Sequence, residues 1–134
     1  MDKYTLSLKM PGLPPMNSAS NLHWRKKRDQ KDLWIKEVGV SIGRNRPHEP
    51  LQAAHVTITY HGSRLLDADN MYNGCKYLLD ALQEWRVLDD DGPMCIGMPV
   101  VQWRKSKRKD ACTKMFIQEC SPRDLDLSPW GLGN

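Results

Sequence analysis

The chain has 134 residues, a formal net charge of +4 and 40% hydrophobic residues, a length that suits one domain built on a single core. No apolar run approaches the roughly 18 residues of a membrane span, and the opening MDKYTLSLKMPG lacks the basic-then-apolar order of a signal peptide, so a cytoplasmic protein without a membrane partner is expected. Cys75, Cys95, Cys112 and Cys120 form no C-x-x-C pair and lie in apolar or strand-like sequence, which predicts buried thiols rather than disulfides or zinc ligands.

KYTLSLKM (3–10) alternates and then meets PGLPP, the pattern of a strand closed by a proline-rich turn. A basic helix follows: Ser18, Ser20 and Asn21 offer caps, Leu22, Leu33, Ile35 and Val38 recur at roughly helical spacing, and Gly39 or Gly43 provides the stop. RPHEPLQ reads as a loop and AAHVTITYH (53–61) as a strand rich in β-branched and aromatic residues. The segment 65–82, LLDADNMYNGCKYLLDAL, forms the second helix. After LDDDGP, the stretches CIGMPVVQWRKS and ACTKMFIQEC read as two strands joined by KSKRKD, with Pro99 marking an edge position or a bulge. The last residues, SPRDLDLSPWGLGN, read as an irregular tail that Trp130 could pin to the body. This order predicts an α+β fold, a small two-layer sandwich with a mixed sheet of about four strands and two main helices.

Charge is unevenly spread. HWRKKRDQKDLWIK (23–36) and RKSKRK (104–109) hold eleven of the twenty lysines and arginines, while carboxylates gather at 67–69 and 89–91. Basic flanks around an acidic centre suit a polyanion held by the flanks with cations at the middle; solvated basic faces are the alternative.

On a wheel of the second helix, Met71, Cys75, Leu78, Leu79 and Leu82 fall within about 100°, an apolar stripe for the core. Asp69, Asn73, Lys76 and Asp80 form one polar line. Asp69 or Asn70 suits an N-cap and Lys76 with Asp80 an i,i+4 ion pair, but neither use involves Asp67. In an extended run Asp67 and Asp69 project from one face about 6.5 Å apart and repel unless a cation lies between them. With one of Asp89, Asp90 and Asp91 added, three hard oxygen ligands would suit Mg2+ or Mn2+ and phosphodiester hydrolysis. A calcium EF-hand fails on register: counting from Asp67, Tyr72 stands where glycine is needed and Leu78 where glutamate is needed.

DADN opening a helix that contains LLDAL, followed by LDDD, resembles the RusA-type Holliday junction resolvases, small metal-dependent endonucleases of bacteria and phages. The first strand YTLSL with PGLPPMN is similar to that family's opening strand and Pro-Pro-Asn turn, and the likeness runs over roughly residues 4–120. The resemblance implies a single endonuclease domain over 1–120, a tail at 121–134, and a homodimer that makes paired nicks in a four-way DNA junction. It places the metal ligands on Asp67, Asp69 and Asp90, with Asp89 or Asp91 as substitutes for the third, and matches Asn70 to the family's asparagine. The family's helix lysine comes four residues after the second aspartate, where this chain has Asn73; Lys76, three residues on, keeps the same face. As phosphate contacts, the implied surfaces are Arg25, Lys26, Lys27 and Arg28, then Lys105, Lys107, Arg108 and Lys109, with Trp24 either stacking on a base or in the core. His23, His48, His55 and His61 carry no catalytic pattern. A catalytically silent DNA-binding module and a metal-dependent nuclease for flap or other branched DNA are the rival readings.

Overall fold

The computed structural model describes residues 3–15, 24–90 and 92–127. Its elements are β1 (Thr5–Pro11), α1 (Trp24–Ile42), β2 (Ala54–Gly62), α2 (Ala68–Glu84), a single-turn α3 (Pro93–Ile96), β3 (Val100–Lys105) and β4 (Cys112–Glu119). The strands form one mixed sheet in the order β1-β4-β2-β3. β4 is antiparallel to both neighbours, whereas β2 and β3 are parallel, because the chain between them crosses over through α2. The fold is α+β, as the element order predicts.

Alternation builds the sheet. Leu6, Leu8 and Met10 of β1, Val56, Ile58 and Tyr60 of β2, and Met115 and Ile117 of β4 all face inward and are buried. The stripe of α2 covers them with Cys75, Leu78, Leu79 and Leu82, each large apolar side chain contributing about 1.5–3 kcal/mol on burial. Both helices thus lie on one face of the sheet.

Several sequence expectations are corrected. In α1 the buried line is Trp34, Val38 and Ile42, while Leu33 is 54% exposed; i, i+4, i+8 spacing selects the face, and Leu33 lies a full 100° off it. The helix stops at Gly43, whose φ of 55° only glycine adopts freely. Gly39 instead lies inside the helix against the ring of Trp85. Residues 93–96 form α3 rather than a strand, and β3 starts at Val100, directly after Pro99. It is an edge strand. After β4, a 3-10 turn at Pro122–Asp124 brings Leu125 into a buried position, so the segment from 121 is ordered in part. The caps Ser18, Ser20 and Asn21, Leu22, His23, Asp91 and Trp130 lie outside the described residues, as does the side chain of Trp24.

The thiols follow the sequence expectation: Cys75, Cys95 and Cys112 are buried, Cys120 is half-buried, and all four are free. Among the described residues no helix is long and apolar enough to cross a membrane.

Candidate functional site

The end of β2 sets the position of α2. Tyr60 is fully buried, and its hydroxyl donates to the carbonyl of Met71 at 2.9 Å and lies 3.4 Å from Cys75 Sγ. Burial, then Cys75, raises the phenol pKa far above its ordinary value, so Tyr60 stays a neutral donor. The first turn of α2 is thereby tied to the sheet immediately beside Asp69.

α2 begins at Ala68, two residues earlier than an Asp69 cap requires. Asp67 occupies the N-cap with φ −67° and ψ 149°, yet its side chain makes no capping hydrogen bond. The two carboxylates are therefore not related by strand alternation, as an extended run would have them: Asp67 precedes the helix and Asp69 lies within its first turn. Both are exposed. The partial positive charge of the helix N-terminus favours negative groups here and offsets part of their repulsion.

Along the polar line, Asn73 and Lys76 are exposed and Asn70 is half-buried. Asp80 is not paired with Lys76. Its Oδ2 lies 3.8 Å from Lys31 Nζ of α1, and Lys76 makes no ion pair among the described residues.

The two helices run side by side in the same direction, since Lys31 meets Asp80 and Trp85 Nε1 donates to the Ile35 carbonyl. Both contacts have an offset of about fifty residues, so the start of α1 lies beside the Asn73–Lys76 stretch of α2. Arg25, Lys26 and Arg28 there are exposed, and Lys27 is half-buried. The second basic segment reaches the same end: Ser106 N donates to the Gly62 carbonyl at 2.8 Å, and Lys105, Lys107, Arg108 and Lys109 are exposed. A cavity of about 510 Å³ opens at this end, lined by Leu13, Gly62, Arg64, Leu66 and Arg108 among others. Arg64 was missed by sequence reasoning. Its signal is position: an arginine in the short β2–α2 connection, three residues before Asp67.

Asp90 is elsewhere. Asp89 N donates to the Leu51 carbonyl and Leu88 bridges Leu51, which fixes this loop at the start of β2. Asp67 follows the end of β2, so α2 separates the two positions by its 17 residues, about 25 Å of helix. Asp89 shares the location of Asp90. Cys95 packs under this loop, its Sγ 3.5 Å from the Leu51 carbonyl, and burial pushes its thiol pKa up, the state of a packing group rather than a ligand. Among the described residues no three His, Cys, Asp or Glu side chains gather as a metal-holding group. Among the described residues, one chain therefore brings together Asp67 and Asp69 but not Asp89 or Asp90.

No protein-family model matches this chain, and no curated protein matches it.

Proposed function

We propose that the protein is a divalent-metal-dependent endonuclease for branched DNA, with a four-way junction as its principal substrate, acting as a homodimer. One observation carries the reading. Asp67 and Asp69 stand exposed, Asp67 without a capping hydrogen bond, at the end of the molecule where both basic segments, Arg64 and Lys76, which has no ion pair among the described residues, also lie. A structural use of Asp67 as a cap would need the hydrogen bond that it lacks.

A divalent ion held there would polarise a phosphoryl oxygen and lower the pKa of a bound water. Asp67 and Asp69 would supply its carboxylates, the basic segments would hold the DNA backbone on either side, and the Lys76 ammonium would lie against a phosphate oxygen. The third carboxylate belongs to the second copy, because Asp90 lies at the far end of α2 in its own chain. Tyr72, Met98 and Val100 are 40%, 42% and 51% exposed around one depression, which His55, Asp124 and Asp126 also line. A two-fold axis through these three apolar side chains would bring Asp90 of the partner subunit toward Asp67 and Asp69.

Incubating the protein with labelled junction, flap and linear duplex, with and without Mg2+, tests the proposal. Junction cleavage by paired nicks only with the metal is expected. Cleavage of flap alone would reassign the substrate, and binding without any cleavage would leave a DNA-binding module.

A further inference from the structure

Both helices cover one face of the sheet, and the other face carries its own pattern. The register sets Lys9 of β1 opposite Lys114 of β4, Lys114 opposite Thr59 of β2, and His61 of β2 opposite Arg104 of β3. These are the outward positions of the four strands, and no Asp or Glu stands at any of them. Glu119, the acid within β4, has inward parity and accepts a hydrogen bond from the backbone of Tyr4.

Directly opposed like charges such as Lys9 and Lys114 weaken a sheet. Among the described residues neither lysine has an ion pair, and the reach of the positive charge is visible at His61: partial burial, then Lys114, Arg104 and Lys9, lower its pKa. The cations span four strands, about 14 Å at the usual strand spacing. One row from Lys9 and Lys114, on the side away from Arg104, Phe116 pairs with Ser7 on one strand and Thr57 on the other and is 41% exposed. It borders a shallow depression of about 330 Å³ whose polar rim includes Lys9, Thr59 and Lys114.

We infer that this open face binds an unpaired DNA strand, with phosphates on Lys9, Lys114 and Arg104 and a base stacked on Phe116. Charge selects the class of partner: a polyanion fits, whereas a second copy of the same face would set its cations against these. The aromatic ring selects the strand state, because bases inside a duplex offer no free face for stacking, whereas an unpaired base does. Lys9, Lys114 and Phe116 lie outside the basic segments at 25–28 and 105–109, and Arg104 adjoins the second of them. It rests on the DNA reading above only for the identity of the nucleic acid.

Fluorescence anisotropy of a labelled oligothymidylate, with a duplex of equal length beside it, tests the inference on the full chain in chelator, so that cleavage plays no part. The single strand should bind more tightly. Phe116→Leu, which keeps an apolar side chain on the strand, should weaken it by at least about fivefold, and Phe116→Trp should preserve or tighten it. Lys9→Gln with Lys114→Gln should reduce the slope of log affinity against log salt by about 1.4, at about 0.7 per lost phosphate contact. Thermal melting of each variant at the parent temperature confirms folding. Equal affinity for duplex and single strand, indifference to Phe116→Leu, or self-association abolished by that change would each overturn the inference. If junctions are cut while these variants bind single strands at parent affinity, the sheet face fails and the endonuclease stands; if nothing is cut but the face binds as described, the reverse holds.

Discussion

Lys31 Nζ of α1 lies 3.8 Å from Asp80 Oδ2 of α2. This contact between helices takes Asp80 away from Lys76, the partner that helical spacing alone assigns to it. The Lys31 and Asp80 side chains are 48% and 21% exposed, so the pair contributes about 1 kcal/mol or less. Its larger consequence is for Lys76.

With no ion pair among the described residues to lose, Lys76→Ala should leave the melting temperature unchanged while cleavage falls by at least about tenfold, equivalent to about 1.4 kcal/mol of barrier. Lys76→Arg should restore activity only in part, since a guanidinium is bulkier and differently hydrated. Single-turnover cleavage assays on a junction measure both. Parent rates in Lys76→Ala would remove this lysine from the site.

Asp67→Asn, Asp69→Asn and Asp90→Asn should each abolish metal-dependent cleavage and spare junction binding, because the basic surfaces are untouched. The composite arrangement adds a sharper expectation: Asp67→Asn mixed with Asp90→Asn forms heterodimers in which one site keeps all its ligands. Nicking should return in the mixture without paired incision. A mixture as inactive as its components would place all three carboxylates in one chain.

Tyr60→Phe keeps the ring in the core and removes the hydroxyl that holds the Met71 carbonyl. The expected loss is about 1–2 kcal/mol of stability, read from denaturant midpoints. Cleavage should fall more than stability alone explains, because the first turn of α2 carries Asp69.

Gly39→Ala should destabilise the protein despite alanine's higher helix propensity. A Cβ at this position collides with the Trp85 ring, and overpacking of about 1–3 kcal/mol outweighs a propensity gain of about 1 kcal/mol. Thermal melting decides the sign.

His61 should titrate below its ordinary value of 6.5. The unfolded chain then binds the proton more readily, so this group's contribution to stability is present above 6.5 and diminishes as pH falls through that value toward the folded pKa. The effect is small at a position that keeps contact with solvent, and added salt should move the midpoint back up by screening Lys114, Arg104 and Lys9. An NMR titration of the ring protons at two salt concentrations checks the direction.

Much of this molecule is written in local pattern. Alternation in 5–11, 54–62 and 112–119 determines three strands and their inward faces, and the spacing of Cys75, Leu78, Leu79 and Leu82 determines the buried side of α2, because period and burial are coupled residue by residue. The DADN and LDDD groups are legible in the sequence as carboxylate clusters, and the runs at 23–36 and 104–109 as concentrated positive charge. Other features depend on which segments meet. Trp34 is buried and Leu33 exposed because α1 docks by its 34–38–42 line, a choice that the first helix cannot make without the sheet beneath it. Asp80 pairs across helices because α1 and α2 run in the same direction. The separation of Asp90 from Asp67 and Asp69 follows from chain direction: α2 carries the chain back along β2, so its two flanking acidic groups lie at opposite ends of the sheet. Sequence order brought those carboxylates close on paper, and a rigid helix of 17 residues holds them apart.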